Sequence, residues 1–240
     1  QYGLIGKMLK HSFSEKYFGE KFEKEAIKNT KYSLYELEEI NAFRKLISEN
    51  TVAGLNVTIP YKESIIPFLD DIDETAKSIG AVNTIDFKHG KLTGYNTDVI
   101  GFGKALKRLI GRKTVRDALV LGSGGVSKAI QYFLREKGIN FSVVSRSNGD
   151  LTYDQLDAET MRSHRLIINC TPLGTFPDVN KAPVIPYEYL HSKHLLFDLV
   201  YNPEKTLFLT HGESVGASIM NGYEMLVEQA EASWEIWNTY

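Results

Sequence analysis

The stretch that most constrains this 240-residue chain is Ala118-Leu-Val-Leu-Gly-Ser-Gly-Gly-Val-Ser127, where an apolar run ends in a glycine-rich turn and a helical pattern follows from Val126 to Lys137. Strand, tight turn and helix in that order are what a dinucleotide-binding βα unit requires. Gly122 turns the chain sharply off the strand, and Gly124 lets backbone approach a pyrophosphate. The helix N-terminus then offers unpaired N–H groups and partial positive charge. The third position of the pattern is Ser127 instead of Gly or Ala. A tight turn that binds nothing could look the same, but a second apolar strand, Asn140-Phe-Ser-Val-Val-Ser145, arrives one helix length later.

That second strand ends in Ser145-Arg-Ser-Asn148, without the acid that would hold a ribose 2′-hydroxyl. Arg146 stands in its place. An arginine accepts a 2′-phosphate and an acid repels it, so the expected cofactor is NADP and not NAD. Two more strands, in Arg165–Gly174 and Leu195–Tyr201, end in polar turns expected to face the cofactor. A helix from Pro203 to His211, a short connection at Ser218–Asn221 and a long helix from Gly222 to Trp237 complete the chain. Gln229 lies on or beside the apolar stripe of that helix, while Trp234 and Trp237 read as packing residues.

Upstream, Tyr2–Gly6 reads as a buried strand, with Ser12 and Ser14 between it and a helix reaching about Ile27. The two hydroxyls suit a helix cap or a small carboxylate. A strand at Lys31–Leu37 and a helix at Glu38–Glu49 follow. In Ala53-Gly-Leu-Asn-Val-Thr-Ile-Pro-Tyr-Lys62, Asn56 and Thr58 point to one side of a strand. Pro60 suits the first turn of a helix, which would place Lys62 against the helix dipole. Ile79–Ile85 reads as a strand carrying a polar Asn83, which needs partners if buried. Leu92–Asp98 leads into a helix from about Val99, with Asp98 suited to its N-cap. Singly, each polar residue has a structural explanation. Together, Asn56, Thr58, Lys62, Asn83 and Asp98 fall at strand ends or the turn after them, where open α/β sheets bind ligands.

The bulk properties exclude several classes. A net charge of −2 gives no general attraction to nucleic acid or anionic membranes. The basic stretch Lys104, Lys107, Arg108, Arg112, Lys113 and Arg116 reads as a solvated face near a helix end, and Asp70, Asp71, Asp73 and Glu74 as helix-start charge. No apolar run approaches the roughly 20 residues of a membrane span, and the start shows no signal-peptide pattern. The single Cys170 fits a reducing, cytoplasmic setting. His191 and His194 read as a surface pair, and no metal site is expected. The chain opens at Gln1 inside a strand pattern, so a few leading residues are expected to be missing.

From Gly3 to Gln229 the motifs resemble the shikimate dehydrogenases. The matching segments are His11-Ser-Phe-Ser14, Asn56-Val-Thr-Ile-Pro-Tyr-Lys62, Gly80-Ala-Val-Asn-Thr84, Gly94-Tyr-Asn-Thr-Asp98 and Gly122–Val126. They continue with Ser145-Arg-Ser147, Asn169-Cys-Thr-Pro-Leu-Gly174, Asp198-Leu-Val-Tyr-Asn-Pro203 with Thr206, and Gly222–Gln229. The resemblance implies a catalytic pair, Lys62 and Asp98. It implies substrate contacts from Ser12, Ser14, Asn56, Thr58, Asn83, Tyr201 and Gln229. NADP would be bound by Gly122, Ser123, Gly124, Gly125, Val126, Ser145, Arg146, Ser147, Thr171, Leu199 and Gly222.

The implied reaction is reversible NADPH-dependent reduction of 3-dehydroshikimate to shikimate, in aromatic amino-acid biosynthesis. A quinate/shikimate dehydrogenase of broader specificity and a non-catalytic ligand sensor on the same fold are the alternatives. The serine pair favours shikimate, and an intact Lys62 and Asp98 argue against a sensor. The implied architecture is α/β, with two α/β lobes around a cleft. Residues 1–98 plus 221–240 would form a substrate-binding sheet, and 99–220 a Rossmann-type NADP-binding domain, in a monomer or homodimer. The chain departs from the family after Ser14, where Glu15, Phe18 and Gly19 replace the usual Pro and His-Asn, and at Ser145, which replaces Asn.

Overall fold

The structure, a computed structural model, describes residues 1–9 and 12–239. It divides into two compact units, Gln1–Thr97 with Gln229–Tyr240, and Asp98–Glu228. The first unit carries β1 (Tyr2–Gly6), α1 (Phe13–Lys24), β2 (Tyr32–Glu36), α2 (Phe43–Glu49), β3 (Gly54–Val57), β4 (Asp71–Ile72), α3 (Glu74–Ile79), β5 (Thr84–Asp86) and β6 (Thr93–Tyr95). Among the described residues its strands form one sheet in the order β2-β1-β3-β5-β6-β4. β1 pairs in parallel with β2 and β3, and β5 runs antiparallel to β3 and β6. β3, interior to the sheet, is buried along its whole length, as expected of a strand covered on both faces. One face packs Ile5, Phe43, Leu55, Ile65 and Ile85; the other packs Phe18, Phe22, Tyr32 and Trp237.

The second unit carries α4 (Asp98–Ile110), β7 (Asp117–Leu121), α5 (Gly125–Glu136), β8 (Asn140–Val144), α6 (Ala158–Ser163), β9 (Leu166–Asn169), β10 (Leu195–Asp198), α7 (Leu207–Ser214) and β11 (Ser218–Met220). α8 (Tyr223–Asn238) begins in this unit and passes into the first at Gln229. The sheet is parallel throughout, in the order β11-β10-β9-β7-β8. Side chains of β7 alternate between two cores, Ala118 and Val120 on one face and Leu119 and Leu121 on the other, as a period of two demands. From β7 the chain builds outward to β8, then returns to place β9 on the opposite side. That reversal creates a topological switch point at the carboxyl end of β7.

Several sequence expectations are corrected. Residues 60–64 form no helix: Tyr61 N–H bonds to the Thr58 carbonyl at 2.9 Å and Ile65 N–H to that of Tyr61 at 3.0 Å, as turns. Pro67 lacks an N–H, and only a short 3-10 turn, Ile66–Phe68, forms around it. Lys62 therefore opposes no helix dipole. The segment Ile79–Ile85 begins as the end of α3, capped at Gly80, and pairs as a strand only from Thr84. α4 starts at Asp98 itself, and α7 starts at Leu207, where Thr206 caps it by accepting from Leu209 N–H. Residues 218–220 form the edge strand β11. His194 is fully buried. Its Nε2 donates to the Met161 carbonyl at 2.9 Å, while its Nδ1 accepts the His191 N–H at 3.0 Å. Within the basic stretch, Lys104 and Arg108 bond to Glu228, and Arg108 also pairs with Glu224.

Candidate active site

In the second unit the glycine turn follows β7 at the switch point. Gly122 adopts φ +101°, a left-handed conformation that suits glycine. A Cβ there would lie 3.0 Å from Cγ2 of Thr171, so the turns after β7 and β9 pack together because Gly122 has no side chain. α5 starts after Gly124, which is exposed, and no side chain caps its N-terminus. Its first N–H groups and the positive end of its dipole are available to an anion. The Gly122 N–H bonds to the Val144 carbonyl at 2.8 Å, setting the turn beside the end of β8. There Ser145 is buried and accepts the Asn148 N–H at 2.8 Å, while Arg146 and Ser147 stand exposed on the turn that this bond closes. Leu199 and Gly222 also meet, since a Cβ on Gly222 would run into the Leu199 carbonyl. The residues present fit a dinucleotide with a phosphorylated ribose: a bare helix N-terminus, a backbone that approaches closely, and a cation at the next strand end.

Beneath these turns lies a buried carboxylate. Asp198 Oδ1 accepts from Asn169 Nδ2 at 2.9 Å and from Val200 N–H at 3.0 Å, and its Oδ2 accepts from the Thr206 hydroxyl at 2.5 Å. Asn169 in turn accepts from the Thr171 N–H and hydroxyl at 3.0 and 2.6 Å. Asp198 thus ties the turn bearing Thr171 to the start of α7. Burial pushes its carboxyl up to about 6, against the three hydrogen bonds that favour the anion. Between the ordinary carboxylate value and about 6, the folded chain holds a proton that the unfolded chain has lost. Stability from this group is therefore full at low pH and falls as pH rises through that window, by roughly 3 kcal/mol at 1.36 kcal/mol per unit. In Asp198→Asn that loss disappears. Denaturant unfolding of both proteins between pH 4 and pH 7 checks this, and parallel stability curves would refute it.

In the first unit the polar residues assemble into one buried network. Asn56, on β3, is the hub: its Oδ1 accepts from the Tyr32 hydroxyl at 2.7 Å, and its Nδ2 faces Ser233 Oγ at 3.0 Å, Thr84 Oγ1 at 3.2 Å and the Asn83 carbonyl at 3.3 Å. Asn83 Oδ1 accepts from the Thr97 N–H at 2.7 Å, and its Nδ2 donates to Thr97 Oγ1 at 2.9 Å and toward Gln229 Oε1 at 3.5 Å. Gln229 is buried on α8. The Lys62 carbonyl accepts the Val82 N–H at 2.7 Å, and Asn96 Nδ2 donates to the Ala81 carbonyl at 2.9 Å. The turn bearing half-buried Lys62 is thereby pinned to the segment bearing Asn83. Thr58 is half-buried beside it and donates its N–H to the Ile5 carbonyl at 2.9 Å. Ser12 caps α1 by accepting the Ser14 N–H at 3.3 Å, and Ser14 is buried in the first turn. Both the capping geometry and a ligand-facing pair are compatible with these positions.

Asn56, Asn83 and Gln229, taken from three separated motifs, are thus brought together in one unit that also holds Ser12, Ser14, Thr58 and Lys62. Asp98, buried at the start of α4, and half-buried Tyr201, after β10, belong to the other unit with the cofactor candidates. His11 of the first motif lies outside the described residues. The sequence reading missed Tyr32, Thr84, Thr97 and Ser233. Ser233 had a detectable signal, since it lies one helical turn after Gln229, at a spacing that shares a face. Tyr32 opens a strand and had none.

Residues 4–85 match the shikimate dehydrogenase substrate binding domain. The NADP(+) shikimate dehydrogenase of Methanococcus maripaludis is 36% identical, over 98% of this chain and 90% of that protein. The crystal structure of shikimate dehydrogenase from Aquifex aeolicus superposes with TM-score 0.88 and 33% identity, covering 99% of this chain and 91% of the other. Shikimate 5-dehydrogenase from Thermus thermophilus, solved in complex with NADP(H) and shikimate, gives TM-score 0.85 and 29% identity over 99% and 92%. On identity and coverage, this chain belongs to the shikimate dehydrogenase family.

Proposed function

We propose that this chain reduces 3-dehydroshikimate to shikimate with NADPH and catalyses the reverse oxidation with NADP, in the route to the aromatic amino acids. The observation that carries this reading is the buried network joining Asn56, Asn83 and Gln229, since amides at fixed orientation are what a polyhydroxylated ring acid needs for recognition. The bound nicotinamide supplies or takes up the hydride. The chain must orient the ring, hold its carboxylate and manage one proton.

In this reading the Lys62 ammonium gives its proton to the ketone oxygen as that oxygen becomes a hydroxyl, and takes it back in the reverse direction. Asp98 accepts a hydrogen bond from a ring hydroxyl, so its loss damages binding and rate together. Ser12 and Ser14 hold the carboxylate, and Asn56, Thr58, Asn83, Tyr201 and Gln229 orient the ring. Gly122, Ser123, Gly124, Gly125 and Val126 receive the pyrophosphate at the N-terminus of α5. Ser145, Arg146 and Ser147 receive the 2′-phosphate, and Thr171, Leu199 and Gly222 contact the rest of the cofactor. Residues 1–98 with 221–240 then supply the substrate contacts other than Tyr201, and 99–220 the NADP contacts other than Gly222.

Among the described residues no helix is long and apolar enough to cross a membrane. We place the reaction in the cytoplasm, with a monomer or homodimer as the working form; the single cysteine supports the compartment. Nicotinamide absorbance followed with shikimate and quinate, each with NADP and NAD, tests the assignment. Turnover is expected with shikimate and NADP above every other pairing. Absence of turnover with all four would favour a ligand sensor.

A further inference from the structure

Three hydroxyls with no solvent exposure, those of Thr84, Thr97 and Ser233, meet beneath Asn56, Asn83 and Gln229. Their oxygens lie 2.8 Å (Thr84–Ser233), 3.1 Å (Thr97–Ser233) and 3.3 Å (Thr84–Thr97) apart. A buried hydroxyl costs stability unless it is hydrogen-bonded, and valine or alanine would fill the same space without that cost. Three such groups at one point therefore need a reason beyond packing. Each bonds to an amide assigned to the substrate. Ser233 Oγ faces Asn56 Nδ2 at 3.0 Å, and Asn83 Nδ2 donates to Thr97 Oγ1 at 2.9 Å. Thr84 Oγ1 faces Asn83 Oδ1 at 3.2 Å and Asn56 Nδ2 at 3.2 Å.

The proton count leaves little freedom. Tyr32 donates to Asn56 Oδ1, and Asn56 Nδ2 also faces the Asn83 carbonyl, which can only accept. The Asn56 amide is therefore held in one orientation, and Ser233 Oγ must act as an acceptor toward it. Ser233 in turn donates to the Gln229 carbonyl at 2.9 Å, one turn back along α8. Thr97, bonded to both Ser233 and Asn83, is the residue immediately before Asp98. Ser233 is the member that joins α8 to β3, β5 and the Thr97 segment.

We infer that Ser233 is a positioning residue for substrate recognition, at the centre of a hydroxyl cluster that holds the amides of Asn56 and Asn83 in one orientation and anchors the backbone of α8 at Gln229. This role rests on the shikimate reading above and extends it to a residue with no solvent exposure, which acts through the amides around it. It is tested with Ser233→Ala and the near-isosteric Ser233→Cys in the full chain. Initial rates give KM for shikimate and for NADP separately, and calorimetry gives shikimate affinity without cofactor. Ser233→Ala is expected to raise the shikimate KM and Kd about five- to tenfold, the effect of one lost buried hydrogen bond. The NADP KM and kcat are expected to stay within about threefold on the same grounds. The Cys variant recovers part of the loss, because its thiol is a weak donor and acceptor. A folded Ser233→Ala protein with lower Tm but unchanged shikimate KM and Kd would show a merely structural hydroxyl and overturn the inference. Equal losses for shikimate and NADP would overturn it as well. If the wild-type chain fails to oxidise shikimate, the functional reading itself fails, and that outcome is visible before any variant is made.

Discussion

Lys62→Ala is expected to lower kcat by about 10²- to 10⁴-fold, the usual worth of a positioned general acid, while the shikimate KM changes little. A ketone accepting a hydride develops alkoxide charge on its oxygen, and a donor at that oxygen acts mainly as the charge forms. An interaction made chiefly in the transition state appears in kcat and kcat/KM together. The fold supports such a role by fixing the backbone under Lys62 without enclosing its side chain: the carbonyl is held by Val82 N–H, and the side chain is half-buried. Lys62→Arg should restore little, because a guanidinium does not deprotonate in proteins and cannot serve as base in the oxidation direction. Steady-state rates in both directions decide the matter, and a Lys62→Ala enzyme with near-normal kcat would remove Lys62 from the chemistry.

Arg146→Ala is expected to raise the KM for NADP by about 10- to 100-fold and leave that for NAD within about twofold. The magnitude is that of a hydrogen bond to a charged group, roughly 1.5–3 kcal/mol, lost with its partner. Arg146 is exposed on a turn closed by the Ser145 side chain, one strand away from the glycine turn that Gly122 anchors to Val144. In the proposed reading it receives the phosphate on the adenosine ribose and not the pyrophosphate. The contrast between cofactors is therefore the diagnostic, since a change that distorted the whole turn would weaken both. Equal weakening of NADP and NAD would refute the 2′-phosphate role. The NADP preference should also shrink as salt rises, because an exposed cation is screened.

How far these assignments were readable in advance varied with the range of the interaction. The strand, turn and helix of residues 117–136 were legible because hydrophobic periodicity and glycine geometry are local properties. The place of Arg146 just after β8 was legible in the same way, by counting from the glycine turn. The helix expected from Pro60 was wrong: the rule that proline suits a first helical turn took no account of Pro67, seven residues on. β11 was missed because three half-buried residues carry too little pattern, and it exists only through pairing with β10. His194 read as exposed because its acceptor, the Met161 carbonyl, is distant in sequence.

The site divides along the same line. Placement along the chain alone singled out Asn56, Thr58, Lys62, Asn83 and Asp98, with Gln229 on the last helix, and the family resemblance named the reaction. Neither could show that Asn56 is the hub of a network, or that Ser233 on the last helix meets Asn56 and Thr84 on β3 and β5. Periodicity records which way a side chain faces relative to its neighbours in the chain. Which buried group it meets there depends on strand order and on where the final helix returns, and those are decided only when the whole core has packed.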